Sequence, residues 1–175
     1  MKTLLAFILF ALSSLTYVNA MDNKTIRIST KDTDLILQVG ENGRLYQTYL
    51  GEKLLHEQDL QHFQWNIHAG SDGSVSKRGW EVYSGSGNED FFEPAISITH
   101  HDGNPSTILY YVSSSDKAVE GGTETTILLR DDRYPVEVTL HYIAYPKENI
   151  IKTWSEIRHQ EKKPVTLSSY ASTML

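Results

Sequence analysis

The chain has 175 residues, with 16 lysine and arginine residues against 22 aspartate and glutamate residues, and it contains no cysteine. Its positive charges do not cluster, so it lacks the basic face that a nucleic-acid-binding protein uses to neutralise phosphates. The length fits a single domain, since domains commonly span roughly 100–200 residues.

The chain begins with the pattern of a secretory signal peptide. Lys2 gives a basic start, residues 4–12 are apolar, and small residues precede a cleavage site after Ala20. The apolar stretch is too short to cross a bilayer, which takes about 20 residues, so we expect no membrane partner. We expect residues 1–20 to be removed and 21–175 to be exported. Because exported eukaryotic domains often carry disulfides, the absence of cysteine favours a bacterial periplasm or cell surface.

Alternating apolar and polar residues, the period of a β-strand, dominate from residue 24 onwards. Asn42-Gly43 is a common hairpin signal because both positions tolerate positive φ, and Asp102-Gly103 is a second. The predicted hairpins pair 35–39 with 45–50, 96–100 with 107–112, and 125–129 with 136–142, and single strands are predicted at 150–157 and 165–170.

The pattern predicts an all-β fold, an antiparallel β-sandwich, because many short strands are separated by glycine and aspartate corners. No segment after the leader keeps a helical period over about 12 residues, and 56–62 predicts only a single turn. Residues 168–175 still have the pattern of a strand, without a closing turn. Since natural domains avoid open strand edges, we expect the sandwich to be truncated at its C-terminal end.

Residues 67–90 are the candidate functional segment. Five of the eleven glycines of the chain lie here, and long glycine-rich connections in compact domains are either functional or mobile. Trp80 and Tyr83 lie in this segment and Phe92 follows it. We interpret these three as exposed aromatic residues and, with Asp90, as candidate substrate-binding residues.

Three acidic residues, Glu89, Asp90 and Glu93, lie close together in sequence. Sugar hydrolysis needs two carboxylates that face each other across the glycosidic bond, roughly 5–9 Å apart. Neighbours on one backbone segment rarely oppose each other in that way. We therefore predict no catalytic residue here, and interpret Asp90 as an acceptor of hydrogen bonds from sugar hydroxyl groups.

Other chemistries find no support in the sequence. The seven histidines have no metal-ligand spacing, and adjacent His100 and His101 would point to opposite faces of a strand, so all are interpreted as surface or turn residues. Gly85-Ser86-Gly87 is followed by neither the lysine nor the helix of a phosphate loop. No metal and no cofactor are predicted.

Residues 83–96 resemble a segment of glycoside hydrolase family 36, the α-galactosidases, in which a glycine-containing loop precedes Asp-Phe-Arg-x-Pro-Ala. Further similar pieces keep the family's order across residues 26–175. These are 101–103, 109–112, 129–131 with Tyr134, 136–142, 145–146, Ile151, Trp154 and 156–157.

The resemblance implies the N-terminal β-supersandwich that precedes a (β/α)8 barrel. In that family two barrel aspartates act as nucleophile and acid/base of a retaining mechanism, and both would lie beyond position 175. The chain alone is therefore expected to be inactive. The implied partners are the barrel, α-galactosides bound by the parent enzyme, and further copies in a homo-oligomer, with the Asp90 loop near the mouth of a barrel.

Two positions depart from the family pattern. Ser84 stands where the family usually has proline, and Phe92 where it usually has arginine. Loss of the arginine removes a bidentate donor for a hydroxyl-rich ligand, so Trp80 or Phe92 would supply apolar stacking instead.

Two further hypotheses stay open at this point. In the first, the chain would be a free-standing carbohydrate-binding or surface-interaction module, which Trp80, Tyr83 and Phe92 would favour. In the second, it would be a periplasmic sandwich without a particular activity.

Overall fold

The computed structural model describes residues 24–63, 80–87 and 93–174. The predicted signal peptide lies outside these ranges, so its cleavage and the export of the chain stay predictions. No helix of the described residues is long and apolar enough to cross a membrane.

The strands are β1 Thr25–Ser29, β2 Thr33–Val39, β3 Leu45–Glu52, β4 Trp80–Glu81, β5 Ile96–Thr99, β6 Leu109–Val119, β7 Gly122–Asp131, β8 Val136–Tyr145, β9 Ile150–His159 and β10 Thr166–Tyr170, with a short 3-10 helix at Glu57–Phe63.

The strands form a sandwich of antiparallel sheets, as the alternating pattern predicts. One sheet has the order β1-β2-β3-β4, a second has the order β6-β7-β8-β9, and β5 pairs with β10. Apolar side chains of β1–β3, β5, β7 and β8 meet in one core. Along β7, Ile127 and Leu129 are at most 2% exposed, whereas Leu128 between them is only partly buried.

The hairpin predicted around Asn42-Gly43 is confirmed. Gly43 has a φ of 76°, a left-handed conformation that favours glycine, and β2 pairs with β3 on either side of it. The register shifts between Ile36 and Leu37, which pair with Tyr49 and Gln47 respectively. Thr48 is therefore an extra residue, a β-bulge, in β3.

The hairpin predicted across Asp102-Gly103 is wrong. The turn forms, with a φ of 89° at Gly103, but the two flanking strands do not pair. Instead β5 pairs with β10, and β6 pairs with β7 around a second turn at Gly121. Turn residues specify where a chain reverses, whereas strand pairing also depends on partners far away in sequence.

The third predicted hairpin and the last two strands are confirmed, as β7–β8, β9 and β10. Asp131 shapes the corner between β7 and β8. Its carboxylate accepts the backbone N–H groups of Arg133 and Tyr134, both at 2.8 Å, and that of Ile108 at 2.7 Å. A buried carboxylate with three donors thus fixes its own corner and ties it to the chain before β6.

Replacement of Ile127 by alanine tests the side-chain alternation of β7. Ile127 is fully buried, so Ile127→Ala should lower the free energy of unfolding by about 2–5 kcal/mol through lost contacts and a residual cavity. Urea denaturation measures this loss. The matched control, Leu128→Ala, alters the opposite face and should lose clearly less. Equal losses would contradict the assignment of faces.

Candidate functional site

The glycine-rich segment 84–87 lies between β5 and the chain before β6. The backbone N–H of Ser86 donates to the carbonyl of Ile96 at 3.0 Å, and the N–H of Thr107 donates to the carbonyl of Ser86 at 2.9 Å. A Cβ atom on Gly85 would lie 2.0 Å from the carbonyl oxygen of Thr107, so no side chain fits there. Gly85 thus permits close backbone packing, and it forms a single parallel bridge with Ile96 of β5.

Tyr83 lies in the core, so its interpretation as an exposed aromatic residue is wrong. Its side chain is 1% exposed and its hydroxyl donates to the carbonyl of Ala171 at 2.7 Å. Ser155 donates to the same carbonyl at 3.0 Å. Burial raises the pKa of the Tyr83 hydroxyl above its usual value. Residues 81–85 are all buried, because this segment passes under the neighbouring strands and not over the surface.

Of the other three candidate residues, the structure describes only the backbone of Trp80. The backbone of Trp80 begins β4 and pairs with Gln47, while its side chain lies outside the described part of the chain. Asp90 and Phe92 also lie outside the described residues. Their contacts with sugar stay predictions. Ser84, one of the two departures from the family pattern, is 4% exposed, and its hydroxyl lies 3.4 Å from the backbone N–H of Ala95.

A surface groove lies beside Glu93, where the described chain resumes. It has a volume of about 270 Å³ and is formed by 93–95 from one side and by 169–171 and Met174 from the other. The N–H of Ala171 donates to the carbonyl of Ala95 at 2.8 Å and joins the two sides. We call this feature the loop-base groove.

Strand β10 forms one wall of the loop-base groove and is exposed along its whole length. All five of its residues are exposed, with Tyr170 at 70% and Leu167 at 42%. The sequence predicts the strand but not this exposure, because burial depends on which elements cover a strand. Tyr170 is therefore a candidate contact residue that sequence reasoning missed.

A buried polar cluster holds the chain that leads to β10. The Glu161 side chain is 1% exposed, and its two carboxylate oxygens lie 2.7 Å from Nδ1 of His100 and 2.6 Å from Nδ1 of His101. Of the predicted surface or turn positions, His100 takes a turn position, and it is buried there at 2% exposed. The two histidines do not point to opposite faces, because they lie in the turn after β5 and not within the strand.

The cluster extends to the corner between β7 and β8. The ring of His100 stacks on that of Tyr134 with a centroid distance of 3.5 Å. The Tyr134 hydroxyl donates to the Asp102 carboxylate at 2.8 Å and accepts from the Asn104 side chain at 2.9 Å. Among the described residues, no group of three or more histidine, cysteine, aspartate or glutamate side chains is placed to bind a metal ion. The arrangement joins three segments and is structural.

In the described part of the chain, the architecture is that of an antiparallel β-sandwich domain whose strand β10 is exposed along its whole length. Residues 43–175 match the family model described as the glycosyl hydrolase family 36 N-terminal domain. This match covers most of the chain, and the chain therefore belongs to that family. The comparison with curated proteins found no match.

Solved structures with the same fold are α-galactosidases. The enzyme from Lactobacillus brevis has a TM-score of 0.69 at 18% identity, over 86% of this chain. A variant of the family 36 α-galactosidase AgaA from Geobacillus stearothermophilus, in complex with raffinose, has a TM-score of 0.71 at 21% identity over 86%. The galactosidase domain of the α-galactosidase-sucrose kinase AgaSK has a TM-score of 0.71 at 21% identity over 87%. The chain corresponds to 23% of the first and 24% of the other two.

Removal of the Tyr83 hydroxyl tests its structural role. Tyr83→Phe loses the hydrogen bond to Ala171 and should lower the free energy of unfolding by about 0.5–1.5 kcal/mol. Chemical denaturation gives the value. In the control, Tyr110→Phe, the removed hydroxyl has no hydrogen-bond partner among the described residues, and no comparable loss is expected. A wild-type stability for Tyr83→Phe would show that this bond does not hold β10 to the core.

The acid dependence of stability tests the Glu161 cluster. Burial raises the pKa of Glu161, whereas hydrogen bonds from His100, His101 and the His101 backbone N–H lower it, and the net pKa is about 2. The usual value is 4.5, so the carboxylate stabilises the folded chain above pH 4.5, and this stabilisation is lost as the pH falls from 4.5 to 2.

Denaturation at several pH values should therefore show a smaller loss of stability in Glu161→Gln than in the wild type across this window. Glu148→Gln alters an exposed side chain and should keep the wild-type dependence. Parallel curves for the wild type and Glu161→Gln would exclude the assigned role.

Proposed function

We propose that the chain is the N-terminal, non-catalytic β-sandwich domain of an exported α-galactosidase. A (β/α)8 barrel carrying the two catalytic aspartates would hydrolyse terminal α-galactosyl residues. The family of the chain and its likeness in fold to α-galactosidases about four times as long support this proposal. The pattern of a signal peptide supports export to a periplasm or cell surface.

The exposure of β10 is the observation that carries the proposal. A two-stranded sheet is marginally stable by itself, and neither face of β10 is covered within the described residues. Leu167 and Tyr170 present apolar surface that a partner would bury, at about 25 cal/mol for each Å² of apolar area. In the proposed enzyme, the covering partner is the remainder of the protein, the catalytic barrel included.

Asp90 has a second proposed role. On either side of residues 88–92, Ser86 donates its backbone N–H to Ile96 of β5, and the carbonyl of Ala95 accepts from the N–H of Ala171. We propose that Asp90 lies at the entrance of an active site, in the same subunit or in a neighbouring one. There the carboxylate would accept hydrogen bonds from sugar hydroxyl groups.

The proposal predicts that residues 21–175 alone release no nitrophenol from an aryl α-galactoside. The measurement compares this chain with the product of the reading frame extended past codon 175. The extended product should turn over the substrate, at rates typical of enzymes, about 1–1,000 per second. Turnover by residues 21–175 alone would refute the non-catalytic assignment. An extended reading frame that encodes no barrel would refute the proposal that the parent protein is an α-galactosidase.

The extended product also allows a test of the β10 contact. Replacing Leu167 and Tyr170 together by serine should lower the melting temperature of the extended product more than that of residues 21–175. Leu55→Ser serves as the control, because Leu55 is 85% exposed and lies outside β10. Equal shifts in both proteins would show that β10 is not the covered strand.

A further inference from the structure

A second cavity lies between the two four-stranded sheets, and its C-terminal wall is next to the loop-base groove in sequence, since Thr173 lines the cavity and Met174 lines the groove. Its volume is about 200 Å³, and it opens between β2 and β3 of one sheet and β8 and β9 of the other. It shares no described residue with the groove. The volume exceeds that of several waters, at about 30 Å³ each, but is below the roughly 300–1,000 Å³ of sites for drug-sized ligands.

Tyr142 in β8 lines this cavity with a hydroxyl that lacks a partner. The residue is 4% exposed, and its hydroxyl makes no hydrogen bond with any described residue. In contrast, the hydroxyls of the buried tyrosines Tyr83 and Tyr46 are both hydrogen-bonded. The Tyr142 hydroxyl is not among the fully buried polar atoms without a partner, so it is accessible from the cavity and can bind water or a ligand there. Burial also raises the pKa of Tyr142, which keeps its hydroxyl a neutral donor.

Further uncharged polar groups line the same space. The side chains of Thr33, Gln47 and Thr153 make no hydrogen bond within the described ranges, and all three are only partly buried. Asn149, in the turn between β8 and β9, accepts from the hydroxyl of Thr30 and from the N–H of Asp32 through its side-chain oxygen. This contact joins the two sheets at the wall of the cavity.

The β-bulge at Thr48 explains how β3 contributes two side chains to the cavity. Gln47 and Leu50 are three positions apart, and in a regular strand they would point to opposite faces. The extra residue turns them to the same face, so both line the cavity. A polar amide and an apolar side chain therefore lie side by side at the opening.

The chemistry of the lining selects the class of ligand. Leu35, Leu50 and Ile151 provide apolar surface, and hydroxyl and amide groups provide donors and acceptors. None of the described residues that line the cavity carries a charge, so a phosphate or carboxylate group would lose its hydration without compensation. A compact neutral molecule with several hydroxyl groups and an apolar ring face satisfies both sets of groups.

We propose that this cavity is a binding site for a neutral monosaccharide, with Tyr142, Gln47 and Thr153 as hydrogen-bonding residues. A ligand of this size in an open cavity should bind with a dissociation constant of about 1–10 mM. The proposed hydrogen-bonding residues Tyr142, Gln47 and Thr153 all lie within the described chain, so the site can be tested on residues 21–175 whether or not the parent protein is an α-galactosidase.

The test is a titration of residues 21–175 with galactose, glucose and myo-inositol, followed by two-dimensional amide NMR. At least one of these should shift the amide signals of Thr33, Gln47 and 149–153 in a saturable way, and galacturonate should not. The absence of saturable shifts for all three neutral compounds would overturn the proposal. So would shifts confined to the loop-base groove.

Variants distinguish a ligand-binding hydroxyl from a structural one. Tyr142→Phe should weaken binding roughly two- to tenfold without lowering the melting temperature, because the hydroxyl has no partner in the described structure. Thr153→Val should weaken binding by a similar factor and provides a second measurement. Tyr145→Phe is the control, since Tyr145 lies on the same strand and points to the opposite face.

Unchanged affinity in both Tyr142→Phe and Thr153→Val would overturn the proposal. A lower melting temperature of Tyr142→Phe, with no change in affinity, would instead assign its hydroxyl to the fold.

Discussion

The pairing of β5 with β10 is the contact on which the loop-base groove depends. It joins 96–99 to 166–170, two segments that lie far apart in sequence. At one end the pair is fixed by Tyr83 and Ala95, which both bind the backbone of Ala171. At the other end Glu161 binds the turn that follows β5. Both ends of the pairing are thus held by buried polar groups, and β10 stays in place although its faces are exposed.

Buried carboxylates perform in this chain the role that disulfide cross-links perform in many secreted domains. Asp34 is fully buried and accepts from Arg27 and Ser29, both at 2.6 Å, and from the backbone N–H of Leu54 at 2.8 Å. Burial raises the pKa of Asp34, but these hydrogen bonds outweigh it and the net pKa is lowered. Asp34 joins the paired strands β1 and β2 to the chain that follows β3, and Glu161 joins the chain that follows β9 to the turn after β5. The chain contains no cysteine, so this is its means of fixing loops to the core.

The local patterns of the sequence predict the local structure well. Asn42-Gly43 specifies the β2–β3 hairpin because the turn itself requires a left-handed residue, and the alternation in β7 and β8 specifies their inner faces. The β5–β10 pairing is not predictable in this way, since Asp102-Gly103 marks a turn and says nothing of distant partners. The same limit applies to the site. In the sequence, Tyr83 has the glycine and serine neighbours of a loop residue. It becomes a core residue only because strands from distant parts of the chain cover it.

Because of the bulge at Thr48, the set of side chains that line the Tyr142 cavity depends on the number of residues in β3. Substitutions at Thr48 would leave the strand offset by one position, and the neighbouring side chains would keep their directions. Loss of the single codon for Thr48 would restore regular alternation and turn one of its flanking side chains away from the cavity. At this position, an insertion or deletion of one residue would therefore change the lining of the cavity more than a substitution would. Natural variation in strand length, more than in residue type, would alter what the domain can hold.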